Sequence, residues 1–202
     1  MRDKPDPFEE PSRRLRSRNP GELAESSGAH YSEGRLILPF LAWEIVLEHP
    51  SLDFWMPDFL CTYTLKLLTL LYLDRADGTP LASHWVPYRE LSDGLFYSKN
   101  FSETVEERMR TRFAAEPESL LDAAVALGGE PVEQGDAGVM LRTFPRIPLL
   151  IILWKQDEEF PAACNILFDA SSTHYLNAFE LKMLSGEMAS RIIAVADGRL
   201  SL

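Results

Sequence analysis

The chain has 202 residues, with 20 basic and 31 acidic side chains and a formal net charge of −11. That length suits one domain with a substantial core. So acidic a field repels phosphate backbones, so nucleic acid is not an expected partner. The most apolar window, FLCTYTLKLLTLLYL, is shorter than the roughly 20 apolar residues of a membrane span and carries Lys66 in its middle, which leaves a buried helix and no membrane partner.

The opening MRDKPDPFEEPSRR lacks the apolar run of a secretory signal, so a cytoplasmic location is expected. Cys61 and Cys164 both sit in apolar surroundings and read as buried thiols of a reducing compartment. Without a cysteine cluster, an Fe–S centre ligated by this chain alone is excluded.

Residues 1–34 hold Pro5, Pro7, Pro11, Pro20, Gly21, Gly28 and Gly34 among many charges, with few large apolar groups. This composition predicts a disordered tail. Its cluster of Arg13, Arg14, Arg16 and Arg18 is expected to be a solvated arm. A single domain, residues 35–202, should follow. RLILPFLAWEIVLEH combines β-formers with Pro39 and predicts two short strands or one kinked edge strand. Pro57 is placed to open a helix that runs to about Leu73, and RADGTP ends it. HWVPYREL is expected to be extended, because Pro87 disfavours helix before it.

Two helices should come next. Val105, Met109 and Phe113 mark the apolar stripe of the first. Pro117 starts the second, Leu120, Leu121, Ala124 and Leu127 face inward, and Gly128-Gly129 stops it. AGVMLRTF, IPLLIILW and ACNILFD then predict consecutive antiparallel strands. In the last helix Asn177 and Glu180 form a capping-box pattern, with Leu176 and Leu181 as a staple. Its buried stripe is Leu181, Leu184, Met188, Ile192 and Val195. This order defines an α+β fold: an antiparallel sheet of about four to six strands with helices packed mainly on one face.

Nucleotide-binding glycine loops, the G-x-S-x-G elbow, H-E-x-x-H, EF-hand loops, zinc-type His/Cys spacings and the D-x-H-x-x-G corrinoid loop are all missing. Three weaker groupings remain. FDASSTH brings Asp169, two serines and His174 together, as a nucleophile–base pair would need, but strand-to-helix loops favour the same residues. QDEEFP offers Asp157, Glu158 and Glu159, yet strand alternation aims at most two of them one way, which leaves a cation site incomplete without further oxygens, and a charged hairpin that guards strand edges is the expected reading. HWVPYRELSDG carries Trp85, Tyr88, Arg89 and Glu90. The guanidinium fork of Arg89 suits a ligand carboxylate or one of the chain's own acids, Asp157, Glu159 or Asp169.

The succession LLYLDRADGTPL, WVPYRELSDG, LWKQDEEFPA and ILFDAS resembles domain-of-unknown-function family 3786, found mostly in anaerobic prokaryotes, over roughly Leu36 to Val195. The resemblance brings no settled activity. Some members look fused to cysteine-rich cluster domains akin to those of corrinoid and one-carbon metabolism, an extension this chain lacks. Trp85, Arg89, Glu90, Gly94, Trp154, Asp157, Glu159, Phe160, Pro161 and Asp169 occupy the distinctive places of the family pattern. The leading expectation is a non-catalytic ligand-binding or accessory protein of a redox or one-carbon system. Its site would draw on Trp85, Arg89, Glu90, Trp154, Asp157, Glu159, Asp169 and His174, with Trp85 and Trp154 lining one pocket and Arg89 holding an anionic group. A planar or anionic small molecule, or a partner protein, would suit it; no particular cofactor or metal is indicated. The competing expectation is a hydrolytic or metal-assisted enzyme that uses Asp169, His174, Glu159 and Arg89.

Overall fold

The computed structural model describes residues 6–202. Helices α1 (Glu9–Ser17) and α2 (Pro20–Ser27) open it. Strands β1 (His30–Ser32), β2 (Arg35–Phe40), β3 (Trp43–Glu48) and β4 (Phe54–Trp55) then form an antiparallel meander. Next come α3 (Tyr63–Arg75), β5 (Trp85–Pro87), α4 (Gly94–Phe101), α5 (Glu107–Phe113) and α6 (Pro117–Ala126). Strands β6 (Glu130–Val132), β7 (Ala137–Phe144), β8 (Ile147–Trp154) and β9 (Ala163–Asp169) follow, and α7 (Ala178–Ala196) closes the chain.

Among the described residues the strands form two antiparallel sheets, the meander and a five-stranded sheet ordered β5-β9-β8-β7-β6. The fold is α+β, as the segment order implied. IPLLIILW contains no polar side chain, a composition that suits a central strand, and β8 takes that place. Alternation sends Leu149, Ile151 and Leu153 into the core with Ile166, Phe168, Met109, Phe113, Leu184 and Met188. Leu150, Ile152 and Trp154 take the opposite face, across from Leu167, Asn165 and Ala163 of β9.

Local signals read well. Asn177 and Glu180 close the capping box of α7, and the Glu180 carboxylate also accepts from the Arg75 guanidinium, which ties α7 to the end of α3. Val105, Met109 and Phe113 are buried, as are Leu120, Ala124 and Leu127, while Leu121 and Val195 are only half-buried. Pro57 begins a 3₁₀ turn (Asp58–Leu60) instead of the helix itself. Helix α3 starts after Thr62, whose hydroxyl accepts from the Leu65 amide at 3.1 Å. Cys61 lies in that junction and is exposed, contrary to the expected buried thiol; Cys164 is buried. Lys66 is half-buried, with its ammonium 5.8 Å from the Phe54 ring centre.

The expected disordered tail is the main difference. Its prolines and glycine are punctuation: Pro20 occupies the first turn of α2, and Gly28 ends that helix at φ 75°, where a Cβ would lie 2.8 Å from Pro145. Leu15 and Leu23 are fully buried in the common core. Arg14 grips Asp74 through two nitrogens, and Arg18 donates to the Asp74 carbonyl at 2.7 Å, both at the C-terminal end of α3 where cations are favoured. Residues 1–5 of the expected tail lie outside the described residues. Replacing Leu23 with Ala should therefore cost about 2–5 kcal/mol in denaturant unfolding. Unchanged stability would show that this segment contributes nothing to the fold.

Candidate functional site

The residues singled out in the sequence separate into three groups. At one end of β9, Trp85 pairs in register with Asp169. The buried Asp169 carboxylate accepts from the amides of Ala82 (2.9 Å), Ser83 (2.8 Å) and Ser171 (2.9 Å), and from the Ser171 hydroxyl (2.6 Å). Burial alone would raise its pKa, but the donors outweigh it and hold the group below the usual carboxylate range. His174 is exposed; its Nδ1 lies 2.9 Å from Asp77 and 3.2 Å from the Thr79 hydroxyl. The Thr79 amide is the largest influence that lowers the Asp77 pKa, to about 2. Asp169 is thus occupied with loop closure, and His174 has a different carboxylate.

At the other end of β9, about 20 Å away at ~3.4 Å per residue, Trp154 pairs with Ala163. Asp157 turns the hairpin by accepting the amides of Glu159 (2.8 Å) and Phe160 (2.6 Å), which hold its pKa down. Trp85 and Trp154 therefore do not line one pocket. The expected bridge from Arg89 to Asp157, Glu159 or Asp169 is also not formed: the carboxylate nearest Arg89 is its neighbour Glu90, at 3.9 Å.

Arg89 instead lines a groove of about 540 Å³ beside the edge of β9. Strand β5 stops at Pro87 and turns into a 3₁₀ turn (Tyr88–Glu90), so it covers only Leu167 to Asp169 of β9. The chain then approaches itself closely, since a Cβ on Gly94 would fall 2.0 Å from the Tyr88 carbonyl oxygen. The helical run continues from α4 through a π turn, Ser102–Glu106, into α5. That widened turn brings Glu106 to the vacated edge, where its carboxylate accepts from the Ile166 amide at 3.2 Å. Desolvation raises the Glu106 pKa, against smaller opposing effects of the Ile166 amide and the Ser102 hydroxyl.

Arg89, Lys99, Ser98, Ser102, Glu106 and Asn165 supply the polar wall of the groove. Its floor includes Tyr88 and Phe101, whose rings stack with centroids 4.1 Å apart. Sequence reasoning found Arg89 and missed Lys99, Ser102, Glu106 and Asn165. A signal existed for Glu106: it precedes Met109 by three residues and so flanks the apolar stripe, where a carboxylate is partly desolvated. The π turn that aims it has no local sequence signature.

Among the described residues, no group of three or more His, Cys, Asp or Glu side chains is placed to hold a metal ion. None of their helices is long and apolar enough to cross a membrane.

The two-sheet α+β scaffold leaves one edge groove in which Arg89, Lys99 and Glu106 stand together. The chain belongs to the family described as Domain of unknown function (DUF3786), whose sequence model matches residues 19–191. Searches of curated proteins and of solved structures found no match.

Asp169 gives this region a pH signature. A carboxylate with a depressed folded pKa stabilises the fold above its unfolded pKa, and that contribution is lost as pH falls through the lower folded value. Asp169→Asn should cost about 1–3 kcal/mol near neutral pH and flatten the loss of stability below about pH 4. An acid limb of unchanged steepness would assign the acid sensitivity elsewhere.

Proposed function

We propose that this chain is a non-catalytic ligand-binding module that takes a small anionic molecule in the Arg89 groove. The observation that carries this reading is the state of the two cations. The Arg89 side chain is 70% exposed with no carboxylate closer than 3.9 Å, and Lys99 stands on the same groove with only a loose 3.8 Å contact to Glu103. On a chain of net charge −11, two weakly engaged cations converging on one recess offer a local site for a carboxylate or phosphate. Glu106, the acid in the groove lining, is engaged with the Ile166 amide.

The wider role, as an accessory to a redox or one-carbon system related to corrinoid chemistry, rests on the family resemblance alone. A cytoplasmic setting is consistent with the two free thiols. A protein partner is the second reading, supported by one surface. Leu95 and Phe96 of α4 are 74% and 85% exposed beside Tyr97 and Phe179, with the Lys182 ammonium near both of the latter rings. The enzyme reading lacks a comparable observation, because Asp169, His174 and Arg89 serve separate places.

Calorimetric titration with inorganic phosphate and with succinate tests the anion site. Either anion should bind, and Arg89→Ala should weaken it at least tenfold without lowering the melting temperature, since that side chain is exposed. Equal binding by wild type and Arg89→Ala, or no binding by either anion, would contradict the reading.

A further inference from the structure

A second recess, sharing no lining residue with the Arg89 groove, is built where the β8–β9 hairpin meets the loop before β7. Every residue of β8 from Ile147 to Leu153 is buried, yet the strand ends on Trp154, which is 47% exposed. Phe160, across the hairpin, is 66% exposed. The backbone beneath both rings is fixed. Trp154 is held in register against Ala163, and Phe160 is pinned by a closed turn in which the Asp157 amide donates to the Phe160 carbonyl at 3.0 Å. These two rings, with Pro161 and Ala163, give the apolar wall of a cavity of about 770 Å³.

The polar rim of the cavity is acidic. Asp136 reaches it from the β6–β7 connection, fixed by its own amide donating to the Leu153 carbonyl (2.8 Å) and by its Oδ2 accepting from the Lys155 amide (2.6 Å). Asp157 is fixed through its Oδ1, which accepts the amides of Glu159 and Phe160. In each carboxylate one oxygen is thus committed to the backbone, and the other carries no hydrogen bond among the described residues. The one cation of the lining, Lys155, has its ammonium 3.7 Å from the Glu118 carboxylate on α6. A recess lined by two aromatic side chains and by two carboxylates that each keep one oxygen without a hydrogen bond is complementary to a weakly hydrated cation, which gains from both the ring quadrupoles and the negative rim. A hard metal ion would need further oxygen ligands that the cavity does not bring together.

We propose that the hairpin-end recess formed by Trp154, Phe160, Asp136 and Asp157 binds a soft organic cation, of the methylated ammonium or N-alkylated aromatic class. This site is independent of the anion groove, and Arg89→Ala serves as the control that separates them.

The test is a titration of the full chain with benzyltrimethylammonium and with choline, followed by the NMR signal of the Trp154 indole N–H and by calorimetry. The neutral carbon isostere of choline, dimethylbutanol, is titrated in parallel. The cations should shift the Trp154 signal saturably, and the isostere should bind at least tenfold more weakly. Trp154→Ala should abolish binding. Asp136→Asn, which keeps an acceptor for the Lys155 amide, should weaken it severalfold with an unchanged melting temperature. Arg89→Ala should bind the cations as wild type does. Equal affinity for the neutral isostere, indifference to both Trp154→Ala and Asp136→Asn, or no saturable shift would overturn the proposal.

Discussion

Strand β9 is longer than the edge strand that covers it, and the candidate anion site follows from that mismatch. Pro87 is the last residue of β5, and the chain turns away there into Tyr88–Glu90. The β9 edge at Ile166 would be left with an unpaired amide, a costly omission inside a protein. Glu106 supplies the acceptor in place of a strand, and the π turn at Ser102–Glu106 is what brings it there. Because a side chain closes the edge, the space that a fuller strand would fill stays open as a groove. Arg89 stands at its mouth because it lies two residues beyond the proline that ended β5.

Four acids of this chain close backbone edges and turns by accepting amides. Asp169 closes the loop before β5, Asp157 closes the β8–β9 hairpin, Glu180 closes the first turn of α7, and Glu106 closes the sheet edge. Two of the three acids expected as counter-charges for Arg89, Asp157 and Asp169, are among them. Sequence spacing shows which residues carry charge, but it does not show which carboxylates the backbone has already claimed.

Legibility followed the range of the interactions involved. The capping box of α7, the stripe of Val105, Met109 and Phe113, and the three strands from Ala137 to Asp169 depend on neighbours a few residues away, and all stood out in the sequence. The folding of Glu9 to Ser27 depends on Leu15 and Leu23 entering a distant core and on Arg14 meeting Asp74, so a count of prolines and charges misread it. The site was legible in part. Trp85, Arg89, Trp154, Asp157 and His174 were marked, but their distribution along both ends of β9 required the register of the sheet. Glu106 and Lys99 entered only once the helix containing the π turn was placed against that edge.

Hydrogen exchange at the Ile166 amide tests this account most directly, read against the Phe168 amide as an internal standard from the paired part of the same strand. If Glu106 closes the β9 edge, Ile166 is protected in the wild type, stays protected in Glu106→Gln, which retains an acceptor oxygen, and exchanges at least tenfold faster in Glu106→Ala while Phe168 is unchanged. An Ile166 amide that exchanges as freely in the wild type as in Glu106→Ala would contradict the account, because the edge and the groove built on it would then have no carboxylate holding them.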